Sequence, residues 1–429
     1  MGLRLAAFAF SVVTLSLLGC SVAGDATDGA ASPEASEDAL VQVTPGCAAS
    51  ANASNPNFEF QDDTCHRKVW PSNADRAFVC PNIANDHDDG FAPPGPLADV
   101  AVDTHTFAGF APDLDFTVIA IRRDAHGHPR YRYYSNGTHA KPVQPLSSTK
   151  FMAIAAAAAK MRAASGSKVG LPATTDGVPL GDLATVIHDY NEQHYESNAL
   201  ARYFLNVAGR SHVNGLVHGA WLGRPTEEFL GGNYGAPAAA LPYHFVMPNG
   251  ASLDVAPDDE SPGNNNLSTL TMAEFLKRLV MHREDASTRL PGIQWEDLEV
   301  LFYGPTQSKW YPLPGDNGNA PPRNWGGMSA DTGIYLQSAV DIHAVEAASH
   351  GRWRIFSKLG YGQSGLVENG YACVPALDGA GAPVVGEGLE LVVSTHYAQP
   401  ADSPPVSRRR DAQIAVYYKQ IVAKLKTLP

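Results

Sequence analysis

A serine and a lysine three residues apart, Ser147 and Lys150, stand at the head of a run of helix formers that continues through Ala153 to Arg162. A serine hydroxyl is a weak nucleophile at neutral pH, and a lysine amine serves as its base only where burial or neighbouring charge lowers the amine's pKa. The spacing meets the geometric half of that requirement, because residues i and i+3 share one face of a helix. Composition meets the other half: from Phe151 to Met161 the chain is apolar except for Lys160, and a helix apolar on all sides is buried. Its first turn also carries backbone N–H groups without intrahelical partners, a ready support for an oxyanion. The spacing alone has little specificity. Ser165-Gly166-Ser167-Lys168 repeats it, but Val169-Gly170-Leu171-Pro172 follows and cannot carry a long helix, so that match reads as loop.

The elements that must position this pair are legible around it. Asp115 to Arg122 and Arg130 to Tyr134 read as a hairpin across the turn Asp124-Ala125-His126-Gly127-His128-Pro129, leading straight into the serine helix. Two helical patterns follow at Leu183–Ile187 and Ser197–Leu205, the second entered through Glu196-Ser197-Asn198 and closed by Gly209. His212 to Asn266 has the Gly, Pro and Asn content of long loops, and a helix is expected over Thr271–His282 after a Ser268 or Thr269 cap. The last third alternates: Arg352 to Lys358, Gly365 to Cys373 and Glu390 to Tyr397 are expected strands, with a closing helix from Ser407 to about Leu425. Strands at both ends with helices between predict an α+β fold: one antiparallel sheet packed with helices, an all-helical lobe, and a site in the cleft between them.

Composition bounds the function. The chain has 429 residues, is 44% hydrophobic and carries a net charge of −13, which argues against a nucleic-acid partner. The basic cluster Arg408-Arg409-Arg410 runs into Asp411 and a helix, the pattern of a solvated helix start. Residues 1–19 form an apolar export signal ending Leu17-Leu18-Gly19-Cys20, a junction that resembles a bacterial lipobox. This implies lipid on Cys20 and a protein anchored to the cell envelope on its periplasmic or surface side, with ordinary secretion as the alternative. Residues 20–46 read as a disordered tether, 47–112 as an irregular cysteine-containing preface without chemistry of its own, and 113–429 as the functional domain. Export places Cys47, Cys65, Cys80 and Cys373 in an oxidising compartment, where three pairings are open; one pair is expected to close a loop within 47–80 and the other to tie that segment to the strand around Cys373. His188, His194, His212 and His218 lack the spacing of a metal site, and no cofactor is implied.

Ser147-Ser148-Thr149-Lys150, Glu196-Ser197-Asn198, Lys358-Leu359-Gly360 and the closing strand, Gln399-Pro400, Arg-Arg-Asp and helix occur in an order that resembles the serine β-lactamase and penicillin-binding superfamily, nearest the class A β-lactamases, over about residues 113–429. The resemblance implies an acyl-enzyme on Ser147 with Lys150 as proton acceptor, and an oxyanion hole from the N–H groups of Ser147 and Tyr361. It further implies Lys358 as the positive charge for a substrate carboxylate, Gly360 as room for substrate at the strand edge, and Asn198 as holder of the substrate amide. The implied substrates are β-lactams or the D-alanyl amides of cell-wall peptides. Three departures matter. Glu196 fills the usual serine position of the middle motif, leaving Ser197 or Glu196 to pass the proton to the leaving nitrogen, or that step impaired. Leu359 replaces a hydroxyl residue, removing one donor to the carboxylate, a loss on the order of 1 kcal/mol. Arg224-Pro225-Thr226-Glu227-Glu228 only loosely matches the loop whose glutamate activates the deacylating water, so Glu227 or Glu228 is the candidate, against the plainer reading of solvated loop acids. The rivals are a peptidase or esterase on the same fold and a catalytically idle envelope binding protein.

Overall fold

In the computed structural model, which describes residues 68–73, 75–80, 90–190, 192–258, 263–310, 325–331, 335–362, 365–380, 383–398 and 404–428, the molecule is built on a six-stranded sheet. The first half of the chain contributes β1 (Val102–Asp103), β2 (Leu114–Arg123) and β3 (Pro129–Tyr134). Two short sheets lie outside it: β4 (Pro142–Val143) pairs with β9 (Leu267–Ser268), and β5 (Thr174–Thr175), β6 (Val178–Pro179), β7 (His244–Val246) and β8 (Ser252–Asp254) form the other. The last third supplies β10 (Arg354–Gly362), β11 (Gly365–Leu377) and β12 (Pro383–Tyr397), and the strand order is β1-β3-β2-β12-β11-β10. The pairings are antiparallel except for the short parallel contact of β1 with β3. Strands from the two ends of the chain meet where β2 pairs with β12, and the fold is the α+β arrangement that the sequence predicts.

The helices are α1 (Lys150–Ser165), entered through a 3-10 turn Leu146–Thr149, then α2 (Leu180–Asp189), α3 (Ser197–Ala208), α4 (Arg210–His218), α5 (Thr269–Val280), α6 (Trp295–Tyr303), α7 (Tyr335–Ala339), α8 (Ile342–Ser349) and α9 (Pro404–Leu425). Because strand side chains alternate between faces, Phe356, Val367, Tyr371 and Val392 join the core around α1 to α6, whereas Ile355, Leu359, Leu366 and Val393 join a second core with α7, α8 and α9. α1 lies wholly inside the first core, its residues from Phe151 to Ala159 having no more than 1% of their surface exposed. Burying Phe151 alone, edge-on to Phe275, contributes on the order of 2 kcal/mol. Gly166, at φ 61°, ends the helix in the left-handed conformation that favours glycine. Arg162, buried in the last turn of α1, donates to the Asp297 carboxylate at 2.8 and 2.9 Å and so pins α1 to the start of α6.

Two expectations are corrected here. The stretch from His212, read as extended loop, includes most of α4 together with β7 and β8. Val213, Leu216 and Val217 at helical spacing bury one face of α4, a short signal diluted by the surrounding glycine and asparagine. Part of the preface also joins the sheet, β1 pairing with β3 and Ala92 bridging Tyr131, while the disulfide of Cys80 with Cys373 on β11 is the tie expected from the sequence. Its order comes from isolated long-range contacts, which leave no periodicity to read. Cys20, Cys47, Cys65 and the apolar stretch read as an export signal lie outside the described residues.

Candidate active site

The turn carrying Ser147 is held from both sides. Leu146 takes a left-handed backbone at φ 52°, a conformation that costs a bulky residue about 1–2 kcal/mol. On one side the Ser148 N–H and hydroxyl both donate to Pro145 O, at 3.1 and 2.7 Å. On the other, Asn369 of β11 donates its amide to Ser148 O at 3.0 Å. β10, the edge strand, presses directly on this turn. A Cβ placed on Gly360 would lie 2.7 Å from both Pro145 O and Ser148 N and 3.0 Å from Ser147 N. Gly360 therefore serves the contact between strand and turn, in place of the expected room for substrate at the strand edge. Ser147 itself remains half-buried, reachable from outside.

One turn along, Lys150 is 1% exposed. Its Nζ donates to Ser197 Oγ at 2.9 Å and to Asn198 Oδ1 at 2.7 Å, between the rings of Tyr190 and Tyr234. Burial drives its pKa well below the ordinary lysine value, and the charge of Lys358 adds to that depression, while Glu192 and Asp331 oppose it. Ser197 is brought there by the start of α3, where Glu192 Oε1 accepts the Ser197 N–H at 2.8 Å. Ser197, not Glu196, thus faces Lys150; Glu196 is the exposed N-cap of α3. Asn198, expected to hold a substrate amide, has its amide oxygen engaged by Lys150.

Lys358 sits opposite and is fully buried. Its Nζ donates to Tyr190 Oη, to Leu359 O at 2.9 Å and to Asp331 Oδ2 at 3.1 Å. The Asp331 carboxylate also accepts the Leu359 N–H. The Tyr190 hydroxyl donates to Leu359 O at 2.6 Å and hydrogen-bonds the Ser147 side chain. Both backbone groups of Leu359 are therefore turned off the open edge of the sheet, and strand alternation turns the Tyr361 N–H to that same edge. The Leu359 side chain points the other way, into the α9-side core at 4% exposure, and so does not take the substrate-binding position expected of it.

The loop glutamates are elsewhere. Glu228 is buried against Arg224, 2.5 Å away, and its other oxygen accepts from Ser268 N and Oγ, both at 2.8 Å, and from Thr271 Oγ1. It anchors the start of α5. Glu227 is exposed. Neither carboxylate joins the Ser147 cluster; the burial of an ion pair, not water activation, accounts for Glu228. The histidines are dispersed: His188 bonds Ala184 O, His194 stacks on Trp310 and His218 bonds Glu228 O.

Tyr190 and Asp331 were missed in the sequence. Tyr190 follows α2 in a left-handed conformation at φ 56°, which a tyrosine seldom adopts, and Asp331 lies in an irregular stretch without periodic signal. These residues gather Ser147, the buried Lys150 and Ser197 at the head of α1, with the buried Lys358 on the neighbouring strand β10.

No family model and no curated protein matches the chain. Solved structures to which it is similar include PBP-A, at 13% identity over 78% of this chain and 99% of that chain, with a TM-score of 0.40. The class A β-lactamase of the last common ancestor of Gram-negative bacteria matches at 14% identity over 73% and 93%, TM-score 0.38. A β-lactamase from Sphaerobacter thermophilus matches at 14% over 74% and 92%, TM-score 0.35. Likeness at this level assigns neither activity nor substrate to this chain.

Proposed function

We propose that the protein is a serine hydrolase that forms an acyl-enzyme on Ser147. The observation that carries this reading is the state of Lys150: buried, with its pKa depressed, and one helical turn from a half-exposed serine. A neutral amine has two N–H bonds and a lone pair. With the N–H bonds directed at Ser197 Oγ and Asn198 Oδ1, the lone pair remains to take the Ser147 proton. The Tyr190 phenol also touches Ser147, but burial raises its pKa well above the ordinary tyrosine value, so at neutral pH it keeps its own proton. As Ser147 Oγ attacks an acyl carbon, charge develops on the carbonyl oxygen beside the start of α1 and the open edge of β10, where the Ser147 and Tyr361 N–H groups would receive it. Ser197, bonded to Lys150, is placed to return the proton to the leaving nitrogen or oxygen. Substrates would be amides or esters, with β-lactams and D-alanyl amides the first to test.

A fluorophosphonate and a labelled penicillin are the probes. Covalent mass added at Ser147 and absent in Ser147→Ala supports the reading; a folded protein that neither probe modifies refutes it. The placement of Glu228 favours slow deacylation as a second feature, visible as a burst without steady turnover. Export and a lipid anchor on Cys20 complete the proposal, supported by the apolar N-terminal segment alone. Cys20→Ala should move the protein from the membrane fraction to the soluble one.

A further inference from the structure

We infer that Ser147 accepts acyl groups carrying no carboxylate on the side facing Lys358, so that the site is one for neutral esters or amides. This rests on the acyl-serine reading above and narrows it. A lysine ammonium has three N–H donors. Those of Lys358 go to Tyr190 Oη, Asp331 Oδ2 and Leu359 O, and none is left for a ligand. The charge is matched within the protein by Asp331, 3.1 Å away, both side chains being fully buried. The Tyr190 ring lies 4.0 Å from Nζ and covers it.

Among the described residues, two further cations lie near this end of β10, and both are engaged within the protein. Arg410 Nη1 donates to Gly362 O at 2.9 Å and Gly365 O at 3.3 Å, and its guanidinium stacks on Tyr361. Lys150 is held toward its neutral form by burial. No hydroxyl at position 359 assists an anion, because Leu359 faces the opposite core. A substrate carboxylate entering here would have to displace Tyr190 from Lys358 and compete with Asp331 for the charge, whereas a neutral acyl group needs neither. What meets it instead is the partly exposed apolar surface of Leu146 and Tyr190.

The test compares benzylpenicillin with its methyl ester, which differ only in that carboxylate, using the full chain and reading acylation of Ser147 by intact mass. A fluorophosphonate serves as a charge-independent control. The ester is expected to acylate at least tenfold faster than the acid, and p-nitrophenyl acetate to be turned over. Tyr190→Phe removes the oxygen that occupies one Lys358 donor, so the preference should fall by about tenfold, the scale of one charge-assisted hydrogen bond. If the phosphonate labels Ser147 but the acid reacts as fast as the ester in the unmodified protein, the inference is overturned and the acyl-serine reading stands. If no probe labels Ser147 in the folded protein, that reading itself fails.

Discussion

At the scale of single residues the site works by making two lysines unlike each other. Burial lowers the pKa of both, but Lys358 has Asp331 hydrogen-bonded at 3.1 Å to hold its charge, whereas Lys150 has no carboxylate bonded to it, feels the repulsion of Lys358, and falls well below the ordinary value. If Lys150 must be neutral to receive the Ser147 proton, fluorophosphonate labelling should rise with pH and level off well below 10.5, because the reactive form appears as the ammonium deprotonates. Lys150→Arg, which cannot deprotonate in this range, should lower the labelling rate by about 10²- to 10⁴-fold and abolish the pH dependence. Glu228 gives the opposite kind of prediction. Glu228→Gln should leave the lifetime of the labelled enzyme unchanged while lowering stability, by on the order of 2 kcal/mol, since it removes the charge facing Arg224, which keeps Thr271 Oγ1 and a neutral amide oxygen. Urea unfolding and mass-resolved deacylation separate the two effects.

At the scale of elements, the contact between β10 and the turn ahead of α1 sets the geometry. Gly360 permits it, and Leu146 packs over Gly362 in the next position along the same face. Gly360→Ala would place a methyl group 2.7 Å from Pro145 O and Ser148 N, closer than real contacts allow, so the strand must retreat from the turn. Labelling of Ser147 should fall by at least tenfold while far-ultraviolet circular dichroism stays unchanged. The glycine at this place is legible in the sequence as part of Lys358-Leu359-Gly360, but its use is not. A strand pattern tells which residues share a face and cannot tell which backbone from elsewhere will arrive against that face.

At the scale of the whole molecule, the N-terminal segment supports the site from behind. Lys68 donates to Asp331 O at 2.7 Å, Val69 exchanges hydrogen bonds with Gln337, and the disulfide Cys80–Cys373 fastens the segment to β11. A cross-link spanning 293 residues restricts the unfolded chain strongly. Its removal in Cys80→Ser/Cys373→Ser should cost about 2–4 kcal/mol in urea unfolding under oxidising conditions. Beside Lys68 lies Glu368, whose carboxyl burial pushes up to about 8 from 4.5. The unfolded chain loses this proton near pH 4.5 and the folded chain only near 8, so its contribution to stability is present below 4.5 and is lost as pH rises through that window. Glu368→Gln should flatten the fall in unfolding free energy between pH 5 and 8.

From the amino-acid order alone come the buried serine–lysine helix, the hairpin before it, the terminal strands and closing helix, and the α+β class. All of these are written in local composition and period, which one segment carries by itself. Tertiary structure decided that Ser197 rather than Glu196 meets Lys150, that Glu228 braces α5, that Leu359 turns away, and that Tyr190 and Asp331 enclose Lys358. Each of those outcomes depends on where a distant backbone comes to rest, because hydrogen-bond saturation and burial belong to the assembled core and to no single stretch of chain.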